Sequence, residues 1–216
     1  MEQKHILNKV LFKVYILVIS FAFCSTSLLS NELYLTKDTT RNVKFENIIE
    51  IGLGLGTGNY TIYPNGVATQ LLNDKLSLCF HSVFGIYPYS NIYFGLGVGL
   101  DYWDQVYFIP FFINTRIINS NVRIQPFVSA KFGYSYAKFI KESSFASKDR
   151  GGIIFEISAG INKPINLSSG INISLGYKLQ QSKAEYIRII DPLYESKPTP
   201  YNIYYNFLTL MLGFSF

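Results

Sequence analysis

Two histidines and two cysteines bound the chemistry open to this 216-residue chain. His5 and Cys24 belong to an apolar N-terminal stretch, which leaves His81 and Cys79. A His–Ser–acid hydrolase needs its nucleophile on the same face as the base, within hydrogen-bond reach. His81 and Ser82 are adjacent in an alternating stretch, and adjacent strand residues point to opposite faces. Cys79 shares the His81 face, but a lone thiol inside a strand reads as a packing residue, and His81 as an interior histidine. So few histidines and thiols make a four-ligand zinc site a poor expectation. The glycine run Gly52–Gly58 (GLGLGTG) looks superficially like a phosphate loop, yet it alternates as a strand and opens no helix. The expectation is therefore no catalytic residue, no cofactor and no metal.

Ionic residues form the stronger pattern. Glu50, Asp101, Arg116, Arg123, Lys131, Glu156 and Lys178 fall at alternate positions opposite apolar residues. The elements that carry them are eight segments of period-two patterning: 48–58, 76–87, 92–103, 106–117, 122–137, 153–163, 170–181 and 202–216. In the seventh, Ile171, Ile173, Leu175, Tyr177 and Leu179 oppose Asn172, Ser174, Gly176, Lys178 and Gln180. In the first and third, apolar residues alternate with glycine, which makes room for long side chains on the same face. Each segment approximates the ~9–11 residues of a tilted membrane-spanning strand.

The last ten residues, FLTLMLGFSF, decide what lies on either side of the wall. Leu208, Leu210, Leu212, Phe214 and Phe216 alternate with small, polar or flexible residues. A sheet edge cannot stay unpaired in hydrocarbon, so a strand oily on one face and ending at an aromatic implies a closed membrane barrel. This ending resembles the C-terminal assembly signal of bacterial outer-membrane barrels, which implies recognition by the barrel-assembly machinery. An all-β, eight-stranded antiparallel up-and-down transmembrane barrel follows, with the ionic residues swept into its lumen. A lumen of eight strands is just wide enough to be filled by side chains, so opposite charges should pair there as a plug. The sharper alternatives are an ion path or a switchable gate. Tyr87, Tyr89, Tyr93, Tyr102, Trp103, Tyr107, Tyr134, Tyr136, Tyr177, Tyr204 and Tyr205 are candidates for aromatic girdles at the two interfaces. A soluble sandwich or lipocalin-like barrel would reverse the faces and explain neither the terminal Phe216 nor the aromatic outer face.

Connections support the count. Links 88–91, 118–121 and 164–167 are short and rich in Pro, Asn and Ser, whereas 59–75, 138–152 and 182–201 are long. The long ones, with the tight Trp103–Gln105 link, fall at one barrel end, which predicts that both termini face the periplasm. Bulk composition agrees: 15% charged and 17% aromatic residues with mean hydropathy +0.18 is oily for a soluble domain. Of the net charge of +5, Lys4, Lys9, Lys13 and Glu2 account for +2, and no basic cluster points to nucleic acid. Those lysines precede the apolar core Val14–Phe23 and the small residues Ser25–Ser27, so 1–30 reads as a signal peptide cleaved between about 25 and 30. Residues 31–47 then form a periplasmic segment and 48–216 the barrel. An uncleaved anchor helix and a lipoprotein at Cys24 are the alternatives.

With these features in hand, the chain resembles the small OmpA-like or opacity-type outer membrane protein β-barrel family. The resemblance rests on the Gly-alternating strands, on IPFFINTRIINSNVRIQPFVSAKFGYSY (Ile109–Tyr136), on GINISLGYKLQ from Gly170, and on the final Phe216. It implies the bacterial outer membrane, contact with its lipid, and a structural or surface-interaction role through the long loops, where an extracellular ligand could bind. The family shares no catalytic residues, so none carry over. A narrow pore and a lipid-modifying enzyme are the other functional readings.

Overall fold

The computed structural model describes residues 44–63, 67–104, 106–139, 151–166, 169–186 and 199–216. The predicted signal segment and most of 31–47 lie outside the described residues. Eight strands form one closed antiparallel barrel: β1 (Lys44–Thr57), β4 (Leu76–Tyr89), β5 (Ile92–Trp103), β6 (Val106–Ile118), β7 (Gln125–Phe139), β8 (Gly152–Pro164), β9 (Gly170–Tyr186) and β10 (Thr199–Ser215). Each pairs with its chain neighbour, and β10 closes on β1 from Ile48↔Ser215 to Thr57↔Asn206. Paired backbone bonds between Asn47 and Phe216, both 2.9 Å, extend that seam to the chain terminus. No barrel edge is left for hydrocarbon to meet, which is the condition for strands in a bilayer.

The faces divide as the alternation requires. Leu96, Leu175 and Leu212 are 65%, 67% and 44% exposed, while Lys131 and Glu156 are each 1% exposed. Oily residues outside and ions inside is the reverse of a soluble barrel, and the soluble alternative is ruled out by it. Inside, glycine gives room to bulky neighbours rather than only to charges. A Cβ on Gly97 would lie 2.3 Å from the Phe112 ring, and one on Gly99 would lie 2.3 Å from His81.

Strand limits differ from expectation mainly at the ends. β1 begins at Lys44, four residues before the predicted Ile48, because 44–47 pair with Gly85–Tyr87 and Phe84 of β4. β7 reaches Phe139, β9 reaches Tyr186 and β10 starts at Thr199, so pairing continues into the predicted long links. Residues 140–150 and 187–198 of those links lie outside the described residues. The 59–75 link contains a hairpin, β2 (Asn59–Ile62) with β3 (Thr69–Leu72), which the sequence reading treats as loop.

Candidate functional site

Strand register carries six ionic side chains to the middle of the lumen. Glu50 on β1 faces Arg116 on β6, with which it is hydrogen-bonded, and Lys131 on β7 at 2.7 Å. Lys131 also stands 3.2 Å from Glu156 on β8, an ion contact without hydrogen-bond alignment. Across the lumen, Lys178 on β9 donates to Asp101 on β5 at 2.9 Å and lies 3.3 Å from the Cys79 sulfur. Glu50, Asp101 and Glu156 thus balance Arg116, Lys131 and Lys178. All six are at most 3% exposed.

His81 joins the two groups. Its Nε2 is 2.9 Å from Asp101 Oδ1 and its Nδ1 is 3.2 Å from Lys131 Nζ. An ammonium can only donate, so Nδ1 accepts from Lys131 while Nε2–H donates to the carboxylate. That arrangement fits the neutral ring, which keeps the six charges at zero net. The same Nδ1 is 3.8 Å from Glu50 Oε2, too long to compete.

Aromatic and aliphatic layers lie above and below this cluster. Toward the short turns lie Ile48, Val83, Tyr93, Phe112, Ile118 and Phe127; toward the long links lie Trp103, Val106, Phe108, Ile203, Tyr205 and Phe207. Rings of both layers face the cations: Arg116 sits 5.0 Å from Phe127, Lys131 5.5 Å from Phe112, and Lys178 5.0 Å from Phe207. Buried rings in such positions attract cations through the negative π face. Above the upper layer, the β2–β3 hairpin adds Tyr60, 5.6 Å from Trp103 and 5.1 Å from Tyr205.

Six of the seven expected lumen charges therefore meet, and one does not. Arg123 is exposed in the turn before β7, which opens only at Gln125. The Asn119 amide closes that turn on Pro126 O at 2.9 Å, so Val122–Ile124 never enter the ladder. Three expected girdle residues are also misplaced: Tyr93, Trp103 and Tyr205 are 0%, 3% and 2% exposed and point inward. Tyr89, Tyr102, Tyr134, Tyr136, Tyr177 and Tyr204 are exposed; Tyr87 and Tyr107 are half-buried. Leu208, Leu210, Leu212 and Phe214 face outward along β10, and Phe216 is half-buried beyond its end. Cys79 and His81 are buried on the lumen face, and among the described residues no cluster of three metal-ligating side chains occurs.

No protein-family model matches the chain, and no curated protein matches its sequence. Among solved structures it is similar to Neisserial surface protein A, at 8% identity and TM-score 0.44 over 80% of this chain and 98% of that one. It is similar to the outer membrane protein OprG from Pseudomonas aeruginosa, at 12% identity and TM-score 0.42 over 79% and 95%. The translocator domain of the autotransporter NalP from Neisseria meningitidis follows at 8% identity and TM-score 0.27 over 94% and 97%. A closed barrel with an even strand count, an oily outer face and ions within is a bacterial outer-membrane β-barrel.

Proposed function

We propose that the protein is a non-enzymatic integral component of the bacterial outer membrane whose lumen is a closed plug. Its role is structural or one of surface interaction, presented at the barrel end that carries the longer links. The observation that carries this reading is the neutral six-charge cluster lying between two apolar layers, with His81 0% exposed inside it. An enzyme needs its base beside a substrate, and a pore needs a wet path. Kinship with the small OmpA-like or opacity-type barrels is part of the proposal, supported by the Ile109–Tyr136 hairpin and the Gly170 strand. Recognition of β10 by the barrel-assembly machinery is another part, supported by the outward row Leu208–Phe214.

Planar-bilayer recording on the refolded protein tests the plug. The expected result is no steady conductance. A steady conductance that disappears on changing Arg116 or Lys131 would replace the plug with a narrow pore. Altered lipid A in cells expressing the protein, lost on His81→Ala, would instead make it an enzyme.

A further inference from the structure

The ion cluster has one ill-satisfied member. Glu156 is 1% exposed, and neither of its carboxylate oxygens makes a hydrogen bond. Its contact is Lys131 at 3.2 Å from Oε1, without alignment. A buried carboxylate in that condition is costly, because nothing replaces the water it gave up. Lys131 donates instead to Glu50 Oε2 at 2.7 Å and to His81 Nδ1 at 3.2 Å. The second bond exists only while the ring is neutral, since a protonated Nδ1 cannot accept.

A proton arriving at His81 Nδ1 would set an N–H against the Lys131 ammonium, two donors 3.2 Å apart. The nearest acceptor for that N–H is Glu50 Oε2, 3.8 Å away and held by Lys131. Lys131 has a second carboxylate within reach in Glu156. Moving Lys131 from Glu50 to Glu156 therefore satisfies both groups. The exchange conserves bonds: five join His81 and the ions before it. After it, His81–Glu50 and Lys131–Glu156 replace the two Lys131 bonds, and each of the three carboxylates has a donor. The opposing cost is one surplus positive charge in a cluster that otherwise sums to zero.

The other groups around the ring fit that charge. Asp101 of β5 accepts from Nε2 at 2.9 Å, while its second oxygen holds Lys178 of β9. The Phe112 ring of β6 lies 5.2 Å from the imidazole, and a π face favours a cation. Arg116 of β6 stays on Glu50, and Cys79, two residues along β4, faces Lys178.

We propose that the lumen binds one proton at His81 Nδ1 and that Lys131 crosses from Glu50 to Glu156 to admit it. The plug thereby has two ionic arrangements, one neutral and one carrying a single positive charge. This goes beyond the closed lumen proposed above and takes from it only the positions of the ions.

The test is solid-state NMR of the folded full-length protein in lipid vesicles, with labelled histidine, lysine and glutamate. Spectra at about pH 8 and about pH 5 bracket the range where histidine titrates and free carboxylates stay charged. At the higher pH the ring is the Nε2–H tautomer and Lys131 Nζ shows a dipolar contact to Glu50 Cδ. At the lower pH both ring nitrogens carry protons, that contact is lost, and one to Glu156 Cδ replaces it. His81→Gln keeps Lys131 on Glu50 at both values.

A ring that holds one protonation state throughout overturns the proton site. A ring that titrates while Lys131 stays on Glu50 overturns the exchange. So does a Lys131 shift in His81→Gln, which would put the proton on a carboxylate. The wild-type spectra decide the matter alone if the variant does not fold. Steady conductance from the same vesicles would sink the plug, whereas fixed ions in a non-conducting barrel sink only this exchange.

Discussion

The middle of the lumen and its two ends are lined by the same strands, yet the middle is ionic and the ends are aromatic. Ions in a narrow space of low dielectric are tolerable only as a closed set, with charges summing to zero and partners within reach. The aromatic ends make no such demand, since their stability comes from burial and ring contacts. Damage should therefore spread differently from the two regions. Deleting one ion leaves others uncompensated, whereas trimming a ring loosens only its neighbours.

The largest effect expected is from Glu50→Ala. It strands Arg116 and leaves Lys131 with Glu156 as its one carboxylate, since Glu50 engages both cations. Removing one partner of a buried ion pair costs about 3–5 kcal/mol. Urea unfolding in lipid vesicles, followed by Trp103 fluorescence, should show a loss of that size. Adding Lys131→Met to Glu50→Ala should restore part of it, because the double variant carries no surplus charge from that pair. If Glu50→Ala unfolds at the wild-type urea concentration, the lumen is wet enough to solvate the ions and the contrast between layers fails.

Crossing the wall supplies the next test. Leu175 and Lys178 lie three positions apart on β9, one facing lipid and one facing the lumen. Leu175 is central in the outward row Ile171–Leu179, so Leu175→Arg places a cation in mid-membrane at a cost of about 2–4 kcal/mol. In the same vesicle assay, Leu175→Phe should be close to neutral. An arginine tolerated as well as the phenylalanine would mean that this face does not meet lipid.

Much of this division was legible in the residues, because alternation is a local property and burial decides only its sign. The row opposite Lys178 shows the point: five apolar residues on one face leave no choice for the other. What escaped has physical reasons. Val122 and Ile124 alternate with Arg123 as a strand would, but the Asn119–Pro126 turn takes them out of the sheet. Tyr93, Trp103 and Tyr205 are amphipathic and suit either face; the parity that places Tyr93 with Gly95 and Gly97 was the available signal. The β2–β3 hairpin has strands of four residues, too short to show a period. The pairing of Glu50 with Arg116 and Lys131, 66 and 81 residues away, depends on how far the strands are staggered around the barrel. No local pattern encodes that.

The smallest effect belongs to the outermost ring layer, where Tyr60 joins the hairpin to the barrel mouth. Its contacts are with Trp103 and Tyr205, both of which keep their own partners without it: Trp103 lies 4.6 Å from Tyr205 and 5.9 Å from Phe207. Tyr60→Ala should thus remove aromatic pair contacts worth about 0.5–1.5 kcal/mol each, and only from the hairpin. Hydrogen exchange should quicken by roughly tenfold at the amides of Asn59–Ile62 and Thr69–Leu72, a change that such a loss permits. Exchange in β9 and β10 below Phe207 should stay at the wild-type rate, as should the urea midpoint. If the midpoint falls with the hairpin protection, the ring layer and the ion layer are one cooperative unit and the division between them is wrong. If neither moves, Tyr60 rests on the mouth without holding the hairpin to it.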